Sequence, residues 1–190
     1  MYIRLAVEND RRQIAELIAE AFERDFSVLT KDMCNVANAM ENGIELSQFY
    51  VAIEDDHVVG IAAINDNKKR AMRCDRDAYL KNFGWFFGRV ALWDLRKEFE
   101  KPFHFLDDTC YVEFCAVKKE YRRKRIFTAL LQYLIEHTKY REFTLDVLNI
   151  NPHAKEGYEK VGYKVYGQVR EPLGFIKGYQ FRWLMHYVKE

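Results

Sequence analysis

Apolar residues recur along this chain at two different spacings, one typical of helices and one typical of strands. The first clear pattern places apolar side chains at Ile14, Leu17, Ile18, Ala21 and Phe22. This three- and four-residue spacing predicts a helix with one buried face. A similar pattern predicts an amphipathic helix from about residue 126 to residue 140.

Polar residues and glycines mark where the predicted helices begin and end. Asn9 precedes the first helix as a candidate N-cap, and Thr30 precedes a second helix that stops at Gly43. Further along, Asn151 is followed directly by a proline, and Gly162 lies eleven residues later. An N-cap, a proline in the first turn and a glycine at the end predict a short helix between them.

Short apolar runs predict the strands. These runs cover residues 3–6, 48–53, 58–64, 110–117, 143–148, 163–169 and 179–188. Four polar residues, 54–57, join the second and third runs as a hairpin. In the second half of the chain strands alternate with helices, which is typical of a mixed α/β sheet covered by helices.

Residues 66–108 show no strand alternation and form an insert. Two helical stretches are predicted in it, at 75–83 and 88–99, with Gly84 and Gly88 as breaks. A connection of this length in a compact domain is expected to have structure of its own.

The insert holds nine of the 29 aromatic residues of the chain. The simpler interpretation is that most of these rings pack the insert onto the sheet. The alternative is that rings including Tyr79, Phe83 and Trp85 shape the mouth of a pocket, where Asp107 or Asp108 attracts a cationic group.

The composition indicates one folded domain without a strong charge. The 190 residues are 49% hydrophobic, and 30 basic side chains balance 29 acidic ones. These values exclude general disorder, and the near-neutral charge argues against a nucleic-acid or membrane-surface binder. The N-terminus has no apolar run typical of a signal peptide, so we expect a cytoplasmic protein.

The cysteines and histidines do not predict a metal site. Cys34, Cys74, Cys110 and Cys115 form no Cys-x-x-Cys pair, and the five histidines lack ligand spacing. Reduced thiols are expected. Cys110 and Cys115 are an odd number of positions apart on one strand, which predicts that they face opposite sides of the sheet.

A basic turn lies between a predicted strand and a predicted helix. Residues 118–125 contain six basic side chains and one acidic side chain. The unpaired N–H groups of a helix N-terminus, together with arginine and lysine side chains, favour a pyrophosphate site. A solvated basic turn is the alternative interpretation.

Glu113 is the one charged residue on an otherwise apolar strand, 111–117. A carboxylate is costly to bury without a partner. Glu113 therefore either faces solvent near the strand end or lies in a cleft, where burial raises its pKa towards that of a general base.

Taken together, these features resemble the GNAT superfamily of acetyl-CoA-dependent N-acyltransferases over nearly the whole chain except the insert. The most specific match is the pattern Asn-x-x-Ala-x-x-x-Tyr-x-x-x-Gly-aromatic, here Asn151, Ala154, Tyr158, Gly162 and Tyr163. The resemblance implies a mixed, mostly antiparallel twisted sheet of about six or seven strands, flanked by helices. The helical insert would lie between the third and fourth strands.

The resemblance also implies a reaction. A primary amine of a small-molecule or peptide acceptor would attack acetyl-CoA directly, with Glu113 as general base and Tyr158 as general acid. The Val117 N–H would polarise the thioester carbonyl, and no metal would take part. The residues expected to bind acetyl-CoA are Cys115, Ala116, Val117, Arg122, Arg123, Lys124, Arg125, Ile126, Phe127, Thr128 and Asn151. No nucleic-acid or membrane partner is expected, and the protein would be a monomer or a homodimer.

The pyrophosphate loop departs from the family pattern Gln/Arg-x-x-Gly-x-Gly/Ala. Arg122 fits the first position, but Arg125 and Phe127 replace the two small residues. Phe127 is expected to face the helix side. Arg125 either adds a phosphate contact or obstructs the loop. One alternative function is therefore a catalytically impaired acyl-CoA-binding or sensing module. Another is a nucleic-acid-binding domain that uses the basic turn.

Overall fold

The computed structural model describes residues 1–27, 29–170 and 178–190. Its strands are β1 (Tyr2–Leu5), β2 (Phe49–Glu54), β3 (His57–Asn65), β4 (Thr109–Val117), β5 (Glu142–Leu148), β6 (Lys164–Arg170) and β7 (Phe181–Val188). Its α-helices are α1 (Arg11–Ala21), α2 (Glu23–Phe26), α3 (Met33–Met40), α4 (Arg76–Phe83), α5 (Trp85–Phe99), α6 (Ile126–His137) and α7 (Pro152–Val161).

The strands form one sheet in the order β1-β2-β3-β4-β5-β7-β6. Every neighbouring pair is antiparallel except β4 and β5, which run parallel. The insert, with α4 and α5, lies between β3 and β4. The predicted mixed, mostly antiparallel sheet is confirmed.

Helices cover both faces of the sheet, and each face has its own apolar core. On one face, which we call the insert face, Ile14 of α1, Tyr79 of α4 and Phe114 of β4 belong to one cluster. On the other, which we call the α6 face, Leu130 of α6 and Phe143 of β5 belong to a second cluster. The sheet therefore separates the insert from α6 and α7.

Several predicted helix ends are confirmed, but two predicted N-caps are wrong. Asn9 lies inside a short 3-10 helix, Glu8–Asp10, and α1 follows with Asp10 as its N-cap. The Asn151 side chain accepts a hydrogen bond from the Ala154 N–H, and Gly162 ends α7 with a left-handed φ of 109°. The prediction that Thr30 caps the second helix is wrong. Asp32 is the N-cap of α3, because its side chain accepts from the backbone N–H of Cys34.

The second helix of the insert begins earlier than predicted. Gly84 separates α4 from α5 with a φ of 77°, but Gly88 lies within α5. A Cβ atom at Gly88 would stand 2.9 Å from the carbonyl oxygen of Tyr79. Gly88 therefore allows α5 to approach α4 closely and does not break the helix.

Strand β4 contains a bulge that changes which side chains share a face. Phe114 has a left-handed φ of 51°, and the pairing of β3 with β4 shifts register opposite it. An extra residue in one strand reverses the alternation beyond it. Cys110 and Cys115 consequently both pack on the α6 face, and the prediction that they face opposite sides is wrong.

Candidate active site

The candidate site is a gap between β4 and β5 in the middle of the sheet. These strands pair only from Thr109 and Glu142 to Tyr111 and Thr144. Beyond that point β4 continues against β3, and β5 continues against β7. From residue 112 to residue 117 the edge of β4 facing β5 therefore has no strand partner in the described part of the chain, which leaves backbone groups for an extended ligand.

Glu113 lies two residues into this gap, with its side chain on the insert face. The Nδ2 group of Asn65 donates a hydrogen bond to Glu113 Oε2 at 2.8 Å. The Arg70 guanidinium lies 3.7 Å from the same oxygen. Burial raises the pKa of Glu113 to about 7, although Arg70 and the Asn65 hydrogen bond act in the opposite direction. A carboxylate with this pKa can take up a proton near neutral pH.

Tyr158 approaches the gap from the α6 face. Its ring is buried and packs edge-on against Phe127, with the ring centres 4.9 Å apart. Burial, followed by the neighbouring Cys115 and Tyr163, raises the pKa of Tyr158 well above its usual range. The hydroxyl therefore keeps its proton at neutral pH and is a hydrogen-bond donor.

The basic turn leads into the N-terminus of α6 at one end of the gap. Arg125 is the N-cap of α6, and its side chain does not cap the helix. The first N–H groups of a helix have no partner within the helix, and they attract anions. The exposed side chains of Arg122 and Arg123 lie in the same turn. This donor set fits a pyrophosphate group.

Two residues of the turn adopt a conformation that favours glycine. Arg123 has a φ of 65° and Arg125 a φ of 63°. Left-handed backbone costs a non-glycine residue roughly 1–2 kcal/mol. Arg125 occupies the loop position where the family pattern has glycine, so the structure keeps the backbone shape without the residue that adopts it most easily.

Phe127 occupies the second position where the family pattern has a small residue, and it packs between helices as expected. A Cβ atom at Gly157 of α7 would stand 3.0 Å from Phe127 Cε1. The missing side chain at Gly157 thus provides the space for the phenyl ring. Phe127 in turn contacts the ring of Tyr158. The packing of Phe127 on Gly157 therefore helps to fix the position of the Tyr158 ring.

The other predicted acetyl-CoA ligands fall into two groups. Ala116 and Ile126 have buried side chains and can offer only backbone groups. Half-buried or exposed side chains occur at Cys115, Val117, Lys124, Thr128 and Asn151. Lys124 is already 3.6 Å from the carboxylate of Glu54.

The structure does not bring the predicted acceptor residues together. Tyr79 is 0% exposed and Phe83 is also buried in the core of the insert face, so neither lines an open pocket. The expectation that these two residues line a pocket mouth is therefore wrong, because the inward face of α4 packs both rings into this core. Trp85 is 71% exposed on the surface of α5. Asp108 accepts backbone hydrogen bonds from Arg141 and Glu142, at the paired end of β4 and β5.

Four polar residues around Glu113 were not among the predicted site residues. Asn65 and Arg70 contact its carboxylate region. Tyr111 donates a hydrogen bond to Asp146 across the start of the gap. The sequence pattern that singles out Glu113 also applies to two of them, because Asn65 and Asp146 are polar residues in otherwise apolar strands.

The described ranges contain no group of three or more metal-ligating side chains. No helix within those ranges combines the length and apolar character needed to cross a bilayer.

Comparison with known proteins assigns the family. The model of the acetyltransferase (GNAT) family matches residues 11–163. No curated protein is similar enough to count as a match.

Solved structures share the fold at low sequence identity. An N-acetyltransferase from Staphylococcus aureus Mu50 is 22% identical, with 97% of this chain and 100% of that chain covered and a TM-score of 0.64. A ribosomal-protein-alanine N-acetyltransferase from Brucella melitensis is 14% identical, with 99% of each chain covered and a TM-score of 0.64. The protein yncA from Salmonella typhimurium, solved with its cofactor acetyl-CoA, is 14% identical. The match covers 100% of this chain and 94% of that chain, with a TM-score of 0.60. By the extent of the family match, this chain belongs to the GNAT family of acetyltransferases.

Proposed function

We propose that this protein is an N-acetyltransferase that moves an acetyl group from acetyl-CoA to a primary amine. One observation carries the proposal. Where β4 and β5 part, a carboxylate with a raised pKa lies on one face of the gap and a protonated tyrosine lies on the other. General acid and base groups placed in this way suit acyl transfer between an amine and a thiol.

Acetyl-CoA supplies the acetyl group as an activated thioester. The unpaired edge of β4, including the backbone of Cys115 and Val117, is proposed to bind its extended arm. Arg122, Arg125 and the N-terminus of α6 are proposed to bind its pyrophosphate. Asn151 Oδ1 already caps α7, which leaves its Nδ2 group as the proposed donor to the arm.

Glu113 acts on the acceptor side. An ammonium group has no free electron pair, so a proton must leave the nitrogen before or during its attack on the acyl carbon. The Glu113 carboxylate faces the insert, and the amine is therefore proposed to approach from that face. Glu113 takes the first proton, which leaves a neutral amine whose electron pair forms the nitrogen–carbon bond. The second proton leaves the nitrogen for water as the amide forms.

Tyr158 acts on the leaving sulfur. As the carbon–sulfur bond breaks, its electron pair goes to the sulfur, which becomes a thiolate. The Tyr158 hydroxyl donates a hydrogen bond to this charge. Because its pKa is raised well above that of an ordinary thiol, the tyrosine keeps its own proton and stabilises the leaving thiolate through this hydrogen bond.

A binding or sensing module without catalysis is the second candidate, and the turn before α6 supports it. Arg123 and Arg125 take left-handed conformations without glycine, and Arg125 stands where the family pattern has glycine. The presence of Glu113 and Tyr158 on the two faces of the gap favours the enzyme.

The test is release of free thiol from acetyl-CoA with a panel of small amines and peptide N-termini, with product mass as confirmation. We expect transfer to at least one class of amine, and a lower kcat with unchanged KM for acetyl-CoA in Tyr158→Phe. Tyr163→Phe is the matched control, because the buried Tyr163 hydroxyl has no hydrogen-bond partner among the described residues. Binding of acetyl-CoA without transfer to any amine would support the module instead.

A further inference from the structure

Asn65, the last residue of β3, is fully buried and uses its whole side-chain amide. Its Oδ1 atom accepts from the Ala71 N–H at 2.7 Å and from Arg70 Nε at 3.0 Å. Its Nδ2 group donates to Glu113 at 2.8 Å and to the Tyr111 carbonyl at 3.5 Å. Because both groups that reach Oδ1 are donors only, the amide can have just this orientation. An N–H therefore always points at the Glu113 carboxylate.

Arg70 is the cation that faces Glu113, and each of its three side-chain nitrogens donates one hydrogen bond to the protein. Besides Asn65, it donates to the carbonyl of Glu98 at 3.0 Å and to the carbonyl of Lys101. Its guanidinium carbon lies 4.1 Å from the ring centre of Phe103. With a side chain only 11% exposed, Arg70 is built into the site and is not free to bind a substrate.

These contacts connect the insert to Glu113. Glu98 lies in the last turn of α5, and Lys101 follows this helix. Arg70 thus joins the carbonyl end of α5 to the carboxylate in the gap. The backbone at this end of the insert thereby helps to fix the position of the Arg70 guanidinium.

The remaining charges around Glu113 come from three other elements. The carboxylates of Glu98 on α5 and Asp146 on β5 raise the pKa of Glu113, while Arg70 lowers it. Arg182 on β7 contacts both of these carboxylates, at 3.1 Å and 3.0 Å. Tyr111 on β4 donates to Asp146. Arg70 is therefore the cation within ion-pair distance of Glu113 among the residues described.

We propose that Asn65 and Arg70 are positioning residues that hold the Glu113 carboxylate in one orientation and stabilise its ionised form. Arg70 makes this arrangement depend on the end of the insert. This inference rests on the proposed role of Glu113 as the base. Neither residue touches the reacting atoms, so both act through Glu113.

Two substitutions separate the contributions. Asn65→Asp keeps an oxygen for Arg70 and Ala71 but replaces the N–H that points at Glu113 with a second oxygen. Arg70→Met removes the cation. Arg70→Lys keeps a positive charge but loses the guanidinium N–H groups that donate to the carbonyls of Glu98 and Lys101. Arg89→Met, which removes an exposed arginine of α5, is the control.

The first measurement is the pH dependence of kcat/KM for the best amine in the panel. In Arg70→Met the acidic limb should move to higher pH because a stabilising cation is removed. In Asn65→Asp it should move the same way because a carboxylate oxygen replaces the N–H donor and adds a like charge, and in both variants the rate at pH 6 should fall about tenfold. Arg70→Lys should keep the limb near that of wild type with a lower kcat. The KM for acetyl-CoA and the Arg89→Met profile should not change. An unmoved limb in both Asn65→Asp and Arg70→Met would overturn the inference.

The second measurement does not need activity. Titration of the carboxyl carbons by 13C NMR, with Glu113→Gln to assign the signal, follows Glu113 directly. A Glu113 signal that titrates at higher pH in Asn65→Asp supports the inference even if no amine is acetylated, and in that case only the proposed function fails. If Arg70→Met does not fold, Asn65→Asp and Arg70→Lys still provide the test, and a signal unchanged in Asn65→Asp contradicts it.

Discussion

Glu113 and Tyr158 lie on opposite faces of the sheet, one on each side of the gap between β4 and β5. Glu113 belongs to β4 and contacts Asn65 on the insert face, whereas Tyr158 belongs to α7 and packs within the α6 face. Reactants within the gap would therefore meet a base from one side and a hydroxyl from the other. This relationship separates acceptor chemistry from leaving-group chemistry, and each can be tested alone.

Replacing Glu113 with glutamine should remove the base without changing its shape. We expect kcat to fall by about 10²–10⁴-fold, the usual contribution of a general base. The acidic limb near pH 7, set by the raised pKa of Glu113, should also disappear. A pH profile of transfer to the best amine measures both effects. The exposed Glu136→Gln serves as control, and a limb that persists in Glu113→Gln would exclude Glu113 as the base.

The same substitution should change how stability depends on pH. The folded-state pKa of Glu113 is raised from 4.5 to about 7, so between these values the folded protein holds a proton that the unfolded chain has lost. Its contribution therefore makes the free energy of unfolding fall as pH rises through this window. Glu113→Gln lacks this titration. Its free energy of unfolding relative to wild type should therefore increase by on the order of 2–3 kcal/mol from pH 5 to pH 8, and its Tm relative to wild type should increase with it. Thermal unfolding at four pH values measures it, and a constant difference would mean that the pKa is not raised.

The packing of Phe127 on Gly157 predicts that the effect of Gly157→Ala on stability depends on whether Phe127 is present. Alanine is favoured over glycine within a helix by about 1 kcal/mol, but a Cβ atom at Gly157 would stand only 3.0 Å from the Phe127 ring. Gly157→Ala should therefore stabilise a Phe127→Ala protein and fail to stabilise wild type. Denaturant unfolding of the four variants gives the coupling free energy. Equal effects in both backgrounds would show that the two positions are independent.

Arg125 can be tested by separating its backbone from its side chain. Arg125→Gly and Arg125→Ala both remove the guanidinium, but only glycine adopts the φ of 63° without strain. The glycine variant should be more stable than the alanine variant by about 1 kcal/mol. Both should bind acetyl-CoA more weakly than wild type, as measured by calorimetry, because the side chain is proposed to contact phosphate. Tighter binding by both would show that Arg125 obstructs the site.

Much of the fold was predictable because the spacing of apolar residues along the sequence indicates which face of each helix or strand is buried. The strand positions, the insert and the ends of α7 follow from local patterns such as the Asn151 cap and Gly162, and the mostly antiparallel sheet follows from the family resemblance. The bulge at Phe114 was not predictable. A left-handed phenylalanine has no sequence signature, and it reversed the face expected for Cys115.

The site was predictable only in part, for a related reason. Glu113 and Tyr158 stand out through the strand pattern and the family motif. Asn65 and Arg70 lie 48 and 43 positions before Glu113 along the chain, and only the tertiary fold brings them to it. Tyr79 and Phe83 look like pocket residues in sequence, but an aromatic side chain that packs a helix onto a core has the same spacing.

The most direct test of the account is thermal unfolding of the protein with acetyl-CoA, CoA and ADP. A ligand at 100 times its Kd stabilises the folded state by about 2.7 kcal/mol, which corresponds to a rise in Tm of roughly 5–10 °C for a chain of this length. We expect acetyl-CoA and CoA to produce such a rise and ADP, which carries only the pyrophosphate end, to produce a smaller one. An unchanged Tm at millimolar acetyl-CoA would contradict the claim that the gap between β4 and β5 binds it.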